Sequence, residues 1–189
     1  MKTFTALLSL CLLTLLSGCG TPGNLSDDRS ALEERLSQLK RLPAMCVVFE
    51  ELPGKTGDSL TIGPGLSGSH SVNADKIAYQ EAQNIFSLAC ESVEVLVPGL
   101  DDADTAADGV NVLTLRLKAD ASTSAFDGSH VAKIDAVLIS AQGRVLLETH
   151  EEVNVKDSWQ YAQTDTMQRA FIAAYGLLIE KISALPSLE

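Results

Sequence analysis

Beyond its first sixteen residues the chain has no apolar run long enough to cross a bilayer, which excludes any later membrane-spanning helix. Basic residues are scarce: 14 Lys and Arg stand against 25 Asp and Glu, a net charge of −11. That balance excludes a nucleic acid, or an anionic lipid surface, as an electrostatically captured partner. Acidity also keeps secreted domains soluble, so it names no basic partner by itself. The three histidines, His70, His130 and His150, lie in separate segments with no i, i+4 pair. They form no metal-ligand set, and no cofactor is implied.

Catalytic motifs are missing too. Gly54-Lys55-Thr56 lacks the upstream glycine spacing of a phosphate-binding loop. Gly65-Leu66-Ser67-Gly68-Ser69 ends in serine where a nucleophile elbow requires glycine. Glu50-Glu51 and Glu151-Glu152 are adjacent on expected strands, so each pair points to opposite faces. A calcium loop beginning at Asp102 would need ligands where Ala106 and Leu113 stand. The expectation is a protein that is not an enzyme.

What is present begins at the start of the chain. Lys2 supplies a positive charge, residues 6–16 form an apolar core of 11 residues, and Ser17-Gly18 lead into Cys19. An apolar core of that length suits a signal peptide rather than a span. Leu16-Ser17-Gly18-Cys19 resembles the lipobox of bacterial lipoproteins. The resemblance implies cleavage before Cys19, with lipid on its sulfur and amine. Residues 1–18 are then a lipoprotein signal peptide, and 171 residues with a net charge of −12 remain, since Lys2 is the one ionised side chain lost. Two or three acyl chains would anchor that body stably, whereas one binds only marginally. Gly20, rather than Asp, after the cysteine resembles the enterobacterial pattern for sorting to the outer membrane, periplasmic side.

Residues 19–45 read as a lipid tether and an amphipathic helix, and 46–189 as a single domain. Ser26 is the expected N-cap, Leu32, Leu36 and Leu39 share a face, and Pro43 ends the run. Such a helix packs on its own domain or serves a partner. Residues 46–50 predict a strand and 53–73, with five glycines and two prolines, a long mobile loop. A helix over about 74–90 buries Ile77, Ala78, Ala82, Ile85, Phe86 and Ala89, and a strand follows at 93–97. If the two strands are parallel, the returning helix brings Cys90 to the level of Cys46. Cys11 leaves with the signal and Cys19 carries lipid, so a Cys46–Cys90 disulfide is expected in an oxidising compartment, the alternative being two reduced, buried thiols.

Leu113, Leu115 and Leu117 alternate with polar residues as one strand, followed by a polar loop over 119–130. Strands at about 131–140 and 145–155 are joined by a turn at Gln142-Gly143, which places Ser140 opposite Val145. Leu138 then meets Leu147, Ala136 meets Thr149, Ala132 meets Val153, Lys133 meets Glu152 and Asp135 meets His150. Two features misfit this pattern. Glu151 falls on the apolar face opposite Ile134, at a frayed sheet end or on a bulge, or as a functional buried carboxylate. Val137, Ile139 and Leu146 fall on the polar face, as a patch covered by the first helix or as a docking surface. Trp159 and Tyr161 lid the core or mark a partner site. A closing helix, capped by Asp165 with Gln168, repeats Met167, Ala170, Phe171, Ala174, Leu178, Ile182 and Leu185 before Pro186.

This order of elements gives an α+β two-layer sandwich, a mixed, mostly antiparallel sheet with helices on one face. Over residues 46–185 it resembles small Gram-negative envelope lipoproteins, among them LPS-assembly, penicillin-binding-protein activator and ABC-transport auxiliary lipoproteins. The resemblance implies a non-enzymatic accessory or docking subunit of an envelope assembly or transport complex. Its membrane contact would be the lipid anchor and its partner an envelope protein. Two alternatives stand beside it, a lipid- or glycan-binding lipoprotein using 53–73 as a lid, and a hydrolase.

Overall fold

The computed structural model describes residues 24–61, 67–97, 112–124, 128–156 and 163–186. Residues 1–18, Cys19, the acidic stretch 99–109, Trp159 and Tyr161 lie outside the described residues.

Helix α1 spans Leu25–Ser37 and is followed by strand β1, Met45–Glu51. Asn24, not Ser26, caps α1, its side-chain oxygen accepting from the Ser26 amide at 3.1 Å. Strands β2 (Lys55–Thr61) and β3 (Ser67–Asn73) pair antiparallel where the sequence predicts a mobile loop. The glycines there conceal a hairpin because its ladder rests on backbone pairing, without an alternating apolar face. Helix α2 (Ala74–Ala89) and strand β4 (Val93–Leu96) follow, with β4 parallel to β1. Strands β5 (Leu113–Ser124), β6 (Ser129–Ile139) and β7 (Val145–Lys156) and helix α3 (Gln163–Ser183) complete the chain.

The five-stranded sheet runs β4-β1-β5-β6-β7, and the β2–β3 hairpin forms a separate two-stranded sheet. The architecture is α+β, with a mixed sheet and helices packed on one face. Pairings of β1 with β4 and β5 are parallel, and those of β6 with β5 and β7 antiparallel. The polar loop expected over 119–130 is instead mostly strand. Ala119 and Ala121 extend the inward row of Leu115 and Leu117, small residues carrying the same alternation.

Registers of β6 and β7 match the pairs read from sequence as far as Leu138 and Leu147. Nearer the turn they slip. The Gly143 amide donates to Ser140 O, so Ala141 and Gln142 are the turn centre, and Gly143 takes φ +77° after it. Val145 therefore pairs with Ile139 rather than Ser140, and Leu146 is the extra residue of a bulge.

Every residue predicted on the buried faces of α2 and α3 is buried, except Leu185, which is half-buried. Helix α3 begins two residues before the expected cap at Asp165. It is apolar on two sides, for the sheet beneath it and for α1 above it. Leu32 and Leu36 of α1 are buried in this contact. A Cβ on Gly176 would come within 2.8 Å of Leu32 Cδ1, so glycine permits the close approach of α1 to α3. The first helix thus packs on its own domain.

The Cys46–Cys90 disulfide is not formed, and both thiols are free and buried. Cys90 pairs with Leu42, whereas Cys46 pairs with Glu94, four residues further along β1. Four residues of strand span about 13 Å, beyond the reach of a disulfide. Cys90 also belongs to the core, while Cys46 alternates with Met45 and Val47 onto the opposite face. Burial raises both thiol pKa values, with Glu94 adding to the rise at Cys46; Cys90 is pushed up to about 12, against the lowering effect of Arg41. Thiol titration is expected to find no reaction at either residue in the native protein. Two free thiols, from Cys46 and Cys90, should appear on denaturation without reductant.

Candidate functional site

The outer face of the sheet, away from α2 and α3, is organised in cross-strand rows. One row reads Glu94, Cys46, Thr114, Ile139, Val145, and the next Leu96, Val48, Arg116, Val137, Glu148. Beyond them come Lys118, Asp135, His150, then Asp120, Lys133, Glu152. One end of the face is therefore largely apolar and the other is charged.

At the charged end, Glu50 lies 3.6 Å from Arg116 and 3.9 Å from Lys118, and Glu51 3.3 Å from Lys118. Lys133 and Glu152 are 3.4 Å apart. These side chains are substantially exposed, so each pair contributes about 0–1 kcal/mol. A groove of about 470 Å³ runs between the two ends, lined by Glu50, Arg116, Lys118, Asp135, Val137, Glu148 and His150. Among the described residues no cluster of three or more His, Cys, Asp or Glu side chains is placed to hold a metal ion.

His150 Nδ1 lies 2.7 Å from Asp135 Oδ1, and its Nε2 3.8 Å from Glu152. The Asp135 hydrogen bond raises the His150 pKa above its ordinary 6.5, against the lowering effect of desolvation, and the charges of Asp135 and Glu152 add to the rise. Because the folded-state value is the higher one, this pairing stabilises fully below the unfolded pKa. Its contribution is lost as pH rises through the folded one. An NMR titration of the ring protons is expected to give a midpoint above 6.5, returning toward it in Asp135→Asn.

Of the predicted patch, Val137 and Ile139 are half-buried on the outer face, joined by Val145, which is 55% exposed. Leu146 is a correction. The bulge turns it to pack against the core, so Val145 takes its place. The first helix lies on the opposite side of the sheet and does not cover these residues.

Helix α1 fixes where this patch lies relative to the start of the body. Asp28 pairs with Arg169 and Arg35 with Glu180, so α1 runs parallel to α3. Helix α3 descends from beyond the end of β7 until Lys181 reaches Thr149 and Glu151. The N-terminus of α1 is therefore at the end of the sheet where β1, β5 and β7 finish. Ile139 and Val145 are at the other end, beyond the full length of the 13-residue helix, which is itself about 20 Å long.

Glu151 is no frayed end. It sits inside β7 at 5% exposure, accepting from Thr149 Oγ1 at 2.8 Å and paired with Lys181 Nζ at 2.5 Å. A second buried carboxylate went unread in the sequence. Glu81, 1% exposed, takes Arg29 Nη2 on both oxygens at 2.8 and 2.9 Å, and Gln168 Nε2 at 3.2 Å. Its signal was the acid at the midpoint of the Ile77, Glu81, Ile85 stripe.

The chain matches no protein-family model and no curated protein. It is similar to solved structures at low identity. One is a protein of Xanthomonas campestris in the family DUF330, 12% identical, covering 77% of this chain and 85% of that one with a TM-score of 0.45. Another is an uncharacterised protein, 14% identical, covering 76% of this chain and 90% of that one with a TM-score of 0.39.

Proposed function

We propose that the protein is an envelope lipoprotein held through Cys19 on the periplasmic side of the outer membrane. It serves as a non-enzymatic docking subunit of an assembly or transport complex. The observation that carries the reading is the run of Lys2, an 11-residue apolar core and Leu16-Ser17-Gly18-Cys19. Five residues separate Cys19 from the start of α1, counting Asn24, so the anchor would sit at the α1 end of the body. The Val137, Ile139 and Val145 patch then faces away from the lipid, toward a partner standing in the periplasm.

The test is palmitate labelling with membrane fractionation, followed by in-cell photocrosslinking. Wild type is expected to take up label and sediment with the outer membrane, and Cys19→Ser to remain unlabelled and unprocessed. A crosslinker at Val145 should capture an envelope protein. One at Leu88, exposed on the helical side, should not. Val137→Glu with Ile139→Glu should abolish capture while membrane attachment persists. Label entering Cys19→Ser overturns the anchor, and equal capture from Val145 and Leu88 overturns the docking surface.

A further inference from the structure

From Val145 to Val155 the outer side of β7, about 37 Å of strand, is joined by no backbone hydrogen bond among the described residues. Such an edge is a template for another strand, and the nearest identical template is β7 of a second copy. Leu147, Val153 and Val155, half-buried on its inward row, would favour that pairing through the apolar surface it would cover. We infer that the Glu151–Lys181 ion pair keeps this edge from pairing with a second copy of the chain.

The argument rests on where the two charges meet water. Glu151 is enclosed, whereas Lys181, on the last turns of α3, is 47% exposed and also donates to Thr149 Oγ1 at 3.0 Å. The pair is stable because the ammonium keeps part of its hydration at the rim of the sheet. A strand added to β7 would extend the inward face beside Lys181 and remove that hydration. In a symmetric pair it would happen twice, and an enclosed ion pair recovers little of its desolvation cost. The bulge at Leu146 protects the beginning of the same edge by bending it, so pair and bulge divide the strand between them.

Hydrogen exchange on the full chain in detergent micelles tests this, together with sedimentation equilibrium. In wild type, the β7 amides facing away from β6 should exchange fast at every protein concentration. With Glu151→Val and Lys181→Met they should slow tenfold or more as concentration rises, together with the appearance of a dimer mass. The reversed pair, Glu151→Lys with Lys181→Glu, keeps both charges and should behave as wild type. Protection of Leu115 and Leu117 amides reports the fold; if valine at 151 disrupts it, Glu151→Thr with Lys181→Met is read the same way. The inference is overturned if the apolar pair leaves the edge amides fast at all concentrations. It is also overturned if wild type or the reversed pair shows concentration-dependent protection there.

Discussion

Replacing Arg29 with alanine is expected to cost about 3 kcal/mol of stability, more than most substitutions at a residue one-third exposed. The loss comes from what is left behind. Glu81 is buried beneath α1, and Arg29 supplies both strong hydrogen bonds to its carboxylate. Without it one amide, from Gln168 at 3.2 Å, remains to satisfy an enclosed charge. The lower end of the usual range for broken buried pairs applies, because the guanidinium is partly wet and water can enter after truncation. Urea unfolding at constant m-value measures the cost. Arg29→Met with Glu81→Leu should recover most of it, since an apolar pair of similar volume carries no stranded charge. A double variant as unstable as Arg29→Ala would show that the ion pair's own attraction, rather than a stranded charge, sets the cost. Arg35–Glu180 lies nearer solvent, with both side chains more than one-third exposed, and its removal should cost under about 1 kcal/mol.

The same helix shows what was legible in advance. Leu32, Leu36 and Leu39 announce an amphipathic helix, but its target depends on α3 being apolar on a second side. That becomes visible only once Gly176 is known to face Leu32. The β6–β7 pairing was readable because one short turn fixes it and each pair checks the next, as with Lys133 and Glu152 or Asp135 and His150. The reading failed where that logic breaks, at a bulge, which a pattern of period two cannot represent. Leu146 therefore packs against the core, on the face opposite to the one that strict alternation predicts. Cys46 and Cys90 failed for another reason. The returning helix overshoots β1 and ends opposite Leu42, and the continuous apolar run Met45–Phe49 gave no sign of which face Cys46 takes. In β2 and β3 the pairing lies in the backbone, where side-chain periodicity carries no information. Both buried acids were visible as residues out of pattern. Their partners, Arg29 and Lys181, are 52 and 30 positions away and could be found only in the folded chain.

Tyr175→Ala is expected to be the most damaging single truncation in the core, at about 4 kcal/mol. Tyr175 is fully buried between α2 and α3, its ring centroid 5.9 Å from those of both Phe86 and Phe171. The Phe86 ring meets it edge-on at 65° and the Phe171 ring is stacked at 24°, so truncation removes two aromatic contacts together with the buried area. Its hydroxyl donates to the Ala78 carbonyl at 3.0 Å, tying the helices across the core. Burial, with Glu81 nearby, holds the phenol well above its ordinary pKa, so it remains a neutral donor. Tyr175→Phe isolates that bond and should cost about 1 kcal/mol, because the carbonyl left behind is also an acceptor within its own helix. For a domain of this size the two variants should lower the melting temperature by about 12 °C and about 3 °C respectively. The ratio carries the test. Near-equal losses would mean that the hydroxyl, rather than the ring, holds α2 to α3, whereas a small loss in both would mean that the cavity collapses onto the neighbouring phenylalanines.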